Sequence, residues 1–351
     1  MARGFGGISV KNLFIGHSYH KKTQSTQWFI ELLKKHSTVL DLLWDDRWAG
    51  GAPVSIDNAL GGNYDHIFVF HVELIAFELA RKAPERLLFV PMYDSTWEWP
   101  DSKWQALEGS RIVNFSWEQH TRARRLGLRS LHAQYFPNPD QFTPVKDFSD
   151  LRGFFWFRRK ELSWDIIKRL GAGSHWARFF FHNAPDLVPG ESAGPYSDVI
   201  PLEDLSEFNV AISQWVQDRS HIEEIMRKAN VFFASRWREG IGMSFLEAMA
   251  RGQCIVAPNF PTHSEYLTHN VSGLLYDVNL PETLDLSRAA TLGAAARRLI
   301  KRGYRRWAID LENRLPEFLF KERSEIADWA PDYGAWTRNQ SHRGLHTEVS
   351  L

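Results

Sequence analysis

Short apolar runs alternate with amphipathic stretches of about ten residues along most of the chain. Apolar runs rich in β-branched and aromatic residues predict buried strands, whereas apolar positions three or four residues apart predict helices. In the first half of the chain, Trp28, Phe29, Leu32 and Leu33 have the helical spacing. Strands are predicted at residues 13–15, 39–43, 64–71, 87–90 and 111–116. Strands that alternate with helices are typical of a parallel, doubly wound α/β sheet.

The same alternation resumes after a turn-rich segment that contains Pro137, Pro139 and Pro144. Strands are predicted there at residues 153–157, 179–182, 214–216 and 231–235, with a further strand within 252–258, and long helical segments at 281–303 and 306–320. A proline-rich junction between two such series indicates a domain boundary. The sequence therefore predicts two α/β domains, 1–143 and 144–325, followed by a tail, 326–351.

Composition limits the class of protein. With 351 residues, of which 44% are hydrophobic, the chain is long enough for two domains with their own cores. The net charge of zero gives no indication of a nucleic-acid partner. The single cysteine, Cys254, excludes an internal disulfide and fits a reducing compartment. No signal-peptide pattern and no apolar run of roughly 18 residues is present, so we expect a cytoplasmic protein.

The basic cluster at residues 122–129 allows two interpretations. A run of charges on a helix is usually a solvated face. The alternative is attraction to an anionic lipid carrier or to the inner face of a membrane, which would make the protein peripheral.

A glycine loop between a strand and a helix is the strongest candidate for a site. The strand at 231–235 is followed by Glu239, Gly240 and Gly242, and then by a short helix that ends at Gly252. Glycines let a ligand approach the backbone closely. The amides of Ile241, Met243 and Ser244, at the start of the helix, suit a phosphate.

Two glutamates flank this anion site, with seven residues between Glu239 and Glu247. Carboxylates do not bind phosphate, but they accept hydrogen bonds from the hydroxyls of a sugar or a ribose. A sugar nucleotide has sugar hydroxyls on one side of its diphosphate and ribose hydroxyls on the other, which matches an anion site flanked by two carboxylates. The structural alternative is a capping box, in which Glu247 bonds only to the backbone of Ser244.

The residues downstream complete a longer pattern. The segment 252–258, predicted as a helix end, a strand and a turn, and the segment 270–277, which contains Gly273-Leu-Leu, follow the two glutamates. The whole run from Glu239 to Asp277 resembles the signature of the GT4-type, GT-B-fold retaining glycosyltransferases (glycosyl transferases group 1). The resemblance implies two Rossmann-like domains that face a central cleft. It also implies transfer of a sugar from a nucleotide diphosphate to a hydroxyl acceptor, with retention of configuration. Because members often fold their last helix back, a return of the tail 326–351 to the first domain is an expectation.

The resemblance also assigns roles to residues. Glu239 is expected to contact the donor sugar, Glu247 the ribose, and the amides of residues 240–244 the phosphates. His71, at the end of a predicted strand, corresponds to a histidine that enters the cleft near the transferred sugar. A lone histidine is more often structural.

This chain departs from the family in the residues that bind the diphosphate of the donor. The family has an arginine after the first strand of the second domain and a lysine five residues later. Arg158 or Arg159 supplies the arginine, but Ser163 and Trp164 stand where the lysine is expected. Lys160 is the candidate replacement.

Candidates for the acceptor side lie in two loops of the first domain. His17 and His20 follow the first strand, where the family more often has glycines. Trp97 and Trp99 lie in loop-like sequence, and indole rings stack well on sugar faces. Core packing is the simpler interpretation for any single tryptophan. The acceptor is expected to be a glycan or a lipid-linked molecule.

No cofactor beyond the nucleotide sugar is expected. No metal is expected either, because Asp45 and Asp46 lack the Asp-x-Asp spacing of a metal-dependent transferase. Three other functions fit parts of the pattern. They are a glycoside hydrolase with two carboxylates, a sugar-nucleotide epimerase, and a catalytically inactive homologue that binds a partner.

Overall fold

Two parallel six-stranded sheets form the protein in the computed structural model, which describes residues 10–186, 200–214 and 219–321. The first sheet consists of β1 (Lys11–His17), β2 (Val39–Asp45), β3 (His66–Phe70), β4 (Leu87–Val90), β5 (Arg111–Asn114) and β6 (Arg129–His132). Their order across the sheet is β2-β1-β3-β4-β5-β6. The strand order reverses between β1 and β3, so the loops after these strands open a crevice at their carboxyl ends.

Helices cover both faces of this sheet. They are α1 (Ser18–Thr23), α2 (Gln27–Lys35), α3 (Ile56–Gly61), α4 (Glu73–Lys82), α5 (Tyr93–Thr96), α6 (Asp101–Gln105) and α7 (Trp117–Arg125). Helix α2 buries Phe29, Leu32 and Leu33, as the spacing predicts. Three-residue 3₁₀ turns lie at Arg47–Ala49, Pro84–Arg86 and Pro139–Gln141.

The second sheet consists of β7 (Leu151–Phe157), β8 (Trp176–Asn183), β9 (Val210–Gln214), β10 (Val231–Phe233), β11 (Cys254–Pro258) and β12 (Leu274–Tyr276). Their order is β12-β11-β10-β7-β8-β9, with the reversal between β7 and β10. The predicted strand at 214–216 overlaps β9 only at Gln214, because β9 begins four residues earlier, at Val210; residues 215–216 lie outside the described residues. This edge strand is half-exposed and its apolar run is limited to residues 210–212, so the sequence pattern marks it only weakly.

The helices of the second domain are α8 (Trp164–Gly171), α9 (Leu202–Glu207), α10 (Arg219–Lys228), α11 (Met243–Arg251), α12 (His263–Tyr266) and α13 (Ala289–Ile309). A π-helical turn at Asp310–Arg314 then leads into α14 (Leu315–Phe320). Among residues 10–186, 200–214 and 219–321, no helix is both long enough and apolar enough to cross a bilayer.

The chain returns to the first domain through α14. The ring of Phe320 lies 5.6 Å from that of Phe68, and Arg111 donates a hydrogen bond to the carbonyl of Leu319 at 2.7 Å. At the end of α13, the indole of Trp307 packs 5.1 Å from that of Trp28. This return occurs earlier in the chain than the predicted tail, 326–351, which lies outside the described residues. Through these contacts of α13 and α14, one hydrophobic core runs through both domains.

The connection between the sheets runs from His132 to Leu151 and contains the predicted proline-rich junction and boundary. Phe136 packs 5.3 Å from Tyr266, and the guanidinium of Arg297 donates to the carbonyls of Pro139 and Phe142. The connection is therefore bound to the second domain over part of its length.

Candidate active site

The carboxyl ends of the two sheets meet at a cleft where the domains touch. Nη1 of Arg236, three residues after β10, lies 2.6 Å from Oδ2 of Asp94 in α5. Both side chains are about nine-tenths buried, with 10% and 11% exposure. A Cβ on Gly240 would lie 2.7 Å from Sδ of Met92, so a larger residue here would displace the Met92 side chain. The glycine loop of the second domain thus packs directly on the loop after β4.

Helix α11 begins one residue before the predicted capping serine. Gly242, with a φ of 77°, is the N-cap residue, and Met243 is the first helical residue. Ser244 is therefore inside the helix and not at the N-cap position that a capping box requires. The capping-box alternative is wrong for this reason. Glu247 is nearly buried one turn further along, and its Oε2 lies 3.9 Å from Nη1 of Arg251.

Three guanidinium groups converge beside this loop. Arg158 and Arg159 follow β7, and their Nε atoms lie 2.9 Å and 3.3 Å from the two carboxylate oxygens of Asp186. Arg236 follows the neighbouring strand β10. Because like charges repel strongly in a partly buried site, this arrangement requires anions, and Asp186 and Asp94 supply them. The site is therefore built to hold negative charge.

Glu239 is buried within this group, with 6% exposure. Burial raises its pKa, while the charges of Arg236 and Arg158 oppose the rise. Its Oε2 lies 3.9 Å from Nη1 of Arg236, and its carbonyl accepts a hydrogen bond from Thr262 Oγ1 at 2.6 Å. The loop therefore holds a carboxylate beside the arginines without a close ion pair to it.

A cluster of histidines forms the first-domain side of the cleft. His71, directly after β3, has a φ of 55°, and its Nδ1 lies 3.0 Å from Nε2 of His20. The ring of His17 stacks between those of His71 and Trp48, at 5.7 Å and 5.2 Å. Burial lowers the pKa of His17 to about 4 and that of His20 to about 3. The structure thus brings together the three histidines that the sequence singles out.

The two predicted acceptor tryptophans are in different environments. Trp97 is 36% exposed, and the guanidinium of Arg238 lies 3.5 Å above its ring, with Phe260 on the other side at 4.2 Å. Trp99 is only 8% exposed and packs 5.5 Å from the buried Trp104. The assignment of Trp99 to an acceptor wall is therefore corrected, because its indole is part of the first-domain core.

Asp94 and Tyr19, to which the sequence pattern assigned no individual role, complete the site. Burial works to raise the pKa of Asp94, but Arg236, His71 and the arginines after β7 outweigh it and lower the pKa. Asp94 lies four residues after the end of β4, and this position at a strand end is the signal that points to it. Tyr19 also faces the arginines across the cleft, and its pKa is raised, chiefly by burial.

The turn between β7 and α8 contains the candidate lysine. Lys160 is exposed in this turn, and Ser163 immediately precedes α8. Position 163 is thus the start of a helix, close to the end of β7. Within the part of the chain that the structure describes, no group of three His, Cys, Asp or Glu side chains could hold a metal ion.

Comparison with known proteins agrees with this architecture. HepE from Anabaena in complex with UDP is similar at 12% identity and a TM-score of 0.59, over 88% of this chain and 99% of that chain. Sucrose-phosphate synthase from Thermosynechococcus elongatus is similar at 13% identity and a TM-score of 0.65, over 88% of this chain and 98% of that chain. A glycosyltransferase from Rickettsia africae is similar at 13% identity and a TM-score of 0.58, over 90% of this chain and 100% of that chain. The chain therefore has the GT-B fold. Residues 206–306 match the family described as "Glycosyl transferases group 1", which confirms the resemblance for the segment that contains the glycine loop. No curated protein matches the sequence significantly.

Proposed function

We propose that the protein is a retaining glycosyltransferase that moves a sugar from a nucleoside diphosphate to a hydroxyl acceptor without a bound metal ion. The family match and the fold support glycosyl transfer as the class of reaction. The observation that carries the proposal is the convergence of three arginines on a glycine loop, with one buried glutamate in the loop and a second in the helix that follows. This combination serves a ligand with a diphosphate at its centre and hydroxyls on both sides.

The arginines would bind the diphosphate and stabilise it as the leaving group. Arg158 and Arg159 would exchange Asp186 for phosphate oxygens, and Arg236 would exchange Asp94. Arginine suits this role because its planar guanidinium binds two oxygens at once. The amides at the start of α11 would add neutral donors aligned with the helix dipole. Lys160, on its flexible stem, would supply the charge that the family places at position 163.

The glutamates would bind sugar hydroxyls. Glu239 adjoins the arginines and would contact the transferred sugar. Glu247, one turn into α11, would contact the ribose. A carboxylate accepts hydrogen bonds from hydroxyls but repels phosphate, so these positions fix which end of the donor lies where. His71 would lie near the transferred sugar, with Trp97 at the acceptor side.

The acceptor is proposed to be a glycan or a lipid-linked molecule. If the acceptor is lipid-linked, residues 122–129 are the proposed contact with an anionic membrane surface at the cytoplasmic face. Asp101 pairs with Arg122 at 2.7 Å and with Arg125 at 3.7 Å, so this surface is less cationic than its sequence indicates. Membrane affinity from this patch alone is therefore expected to be weak.

A thermal-shift screen with UDP-, GDP-, dTDP- and ADP-sugars tests donor binding. UDP-sugars come first, because HepE was crystallised with UDP and with UDP-glucose. Release of the nucleoside diphosphate in the presence of candidate acceptors then tests turnover, and the anomeric configuration of the product tests retention. Wild type should bind and turn over, whereas Arg158→Ala should lose most of the binding. Absence of any stabilisation by a sugar nucleotide would contradict the proposal.

One observation favours a second function, that of a catalytically inactive homologue. The position of the family's lysine is occupied by Ser163, at the start of a helix. Binding of a sugar nucleotide without turnover on any acceptor would support this second function. Conversion of the donor sugar with no acceptor present would indicate an epimerase instead.

A further inference from the structure

The ring of His71 is held in one orientation by two contacts, on a backbone of unusual conformation. Its backbone φ of 55° is a left-handed conformation that non-glycine residues rarely adopt. Its imidazole lies nearly parallel to that of His17, at 19°, and His17 stacks in turn on Trp48. Its Nδ1 is hydrogen-bonded to His20. Backbone strain that is maintained by surrounding contacts is typical of functional residues.

A chain of hydrogen bonds extends from His71 into the first domain. Nδ1 of His71 lies 3.0 Å from Nε2 of His20, and Nδ1 of His20 lies 2.6 Å from the hydroxyl of Ser25. The Ser25 hydroxyl lies 3.0 Å from that of Thr23. Burial keeps His20 neutral, because it lowers the pKa of its imidazole to about 3. A neutral imidazole and a hydroxyl each have one proton to donate, so all the hydrogen bonds must point in the same direction along the chain.

The carboxylate of Glu73 determines the direction in which these hydrogen bonds are donated. Its Oε1 lies 3.9 Å from Nε2 of His71 and accepts a hydrogen bond from Ser95 Oγ at 2.6 Å. A lone pair on His71 Nε2 would face this carboxylate and be repelled, whereas an N–H would be attracted. The proton of His71 therefore belongs on Nε2, and its Nδ1 accepts from His20.

The hydroxyls of Thr23 and Ser25, at the other end of these hydrogen bonds, are compatible with donation toward His71. Thr23 Oγ1 lies 3.0 Å from Ser25 Oγ and 3.2 Å from the carbonyl of Tyr19, so donation to Ser25 uses the shorter contact. Ser25 can then donate to Nδ1 of His20, and Nε2 of His20 donates to His71. At the cleft, His71 is among the groups that affect the pKa of Asp94, which places its imidazole beside the pair that joins the two domains.

We propose that His20 is a positioning residue that donates its Nε2–H to Nδ1 of His71 and thereby holds His71 as the neutral tautomer with its proton on Nε2. His71 then offers a hydrogen-bond donor to an oxygen in the cleft, and it does not act as a proton acceptor there. The part of the inference that concerns substrate rests on the proposed glycosyl transfer, in which the oxygen is a sugar hydroxyl. The tautomer itself does not depend on any substrate.

Nitrogen-15 NMR of the histidine side chains tests the tautomer directly, since protonated and unprotonated ring nitrogens have well-separated shifts. The His71 signals are assigned by their loss in His71→Gln. In wild type, His71 should show a protonated Nε2 and an unprotonated Nδ1. His20→Phe should change this pattern to a mixture of tautomers. His20→Gln should preserve it, because the glutamine amide nitrogen reaches about as far as the histidine Nε2.

His120→Phe is the matched control. His120 is also buried and its Nδ1 also pairs with a serine, Ser130, at 2.9 Å, but His71 is not among its contacts. This variant should leave the His71 signals unchanged, and its melting temperature measures the cost of replacing a buried histidine by phenylalanine. A wild-type His71 with the proton on Nδ1 would overturn the inference, as would a His20→Phe spectrum in which His71 is unaltered.

The kinetic measurement uses the sugar nucleotide that wild type binds in the thermal-shift screen, with UDP-glucose as the first probe. Losing one oriented hydrogen bond should lower kcat/KM of His20→Phe by up to about tenfold. His20→Gln should stay near wild type, and so should His120→Phe. Equal losses in His20→Phe and His120→Phe would indicate a merely structural role and contradict the inference. If wild type turns over no sugar nucleotide, glycosyl transfer fails, and the NMR result still decides the tautomer.

Discussion

Replacing Glu265 by glutamine removes a charge from the contact between the two domains. The Glu265 carboxylate accepts hydrogen bonds from Ser116 Oγ (2.9 Å), Trp117 N (2.8 Å) and Glu118 N (3.3 Å) at the start of α7. Residues 116–118 belong to the first domain and Glu265 to the second. A carboxylate at a helix N-terminus satisfies amide groups that have no partner inside the helix. Glutamine keeps the shape and one acceptor oxygen, so the substitution tests the charge.

The direction of the pH effect follows from the pKa. Burial raises the pKa of Glu265 from 4.5 to about 7, and the hydrogen bonds from Trp117, Ser116 and Glu118 oppose the rise only in part. The folded state therefore binds more protons than the unfolded state between these two pH values. The stabilising contribution of this group is complete below pH 4.5 and is lost as the pH rises through 7. The full shift corresponds to about 3 kcal/mol, and because Glu265 keeps some exposure we expect about 1–2 kcal/mol.

Urea denaturation of wild type and Glu265→Gln across this pH range measures the effect. The free energy of unfolding of wild type, minus that of the variant, should fall by the expected 1–2 kcal/mol from the acid to the neutral end. Glu108→Gln, at an exposed surface position, is the control and should give a flat difference. A flat difference for Glu265→Gln, or one that rises with pH, would refute the reasoning. A rise would mean that the helix N-terminus outweighs burial.

Three further predictions concern the donor site. Glu247→Ala should weaken nucleotide binding by about ten- to a hundredfold, measured by calorimetry, and a loss of thermal stability without a loss of affinity would contradict the ribose contact. Lys160→Ala should lower turnover far more than the melting temperature. Lys35→Ala, at an exposed position of α2, is its control, because Lys168 pairs with the buried Asp204 and cannot serve. Activity should survive EDTA, and loss on chelation that Mn²⁺ or Mg²⁺ restores would contradict a metal-independent reaction.

Local features of the chain could be predicted from the sequence because they depend on neighbouring residues. The alternation of apolar runs and amphipathic stretches predicted two doubly wound parallel sheets, and both are present. Gly252, which follows α11, was predicted to end this helix, and it has the left-handed φ of 76° that such a helix end requires. Strand ends also indicated which residues meet at the candidate site, because parallel strands place their following loops at one edge.

The long-range pairs were decided only by the tertiary structure. Asp94 meets Arg236 across 142 positions of sequence, and Glu265 meets Ser116 across 149, because two separate sheets turn their carboxyl ends toward each other. No periodicity encodes such a pair, since each partner lies in a loop whose local sequence is compatible with many positions. Trp97 and Trp99 show the same limit: they are two residues apart, yet one faces Arg238 of the other domain and the other fills the core. The sequence determined which segments form strands, helices and the glycine loop, whereas the packing of the two domains determined which charges meet at the cleft.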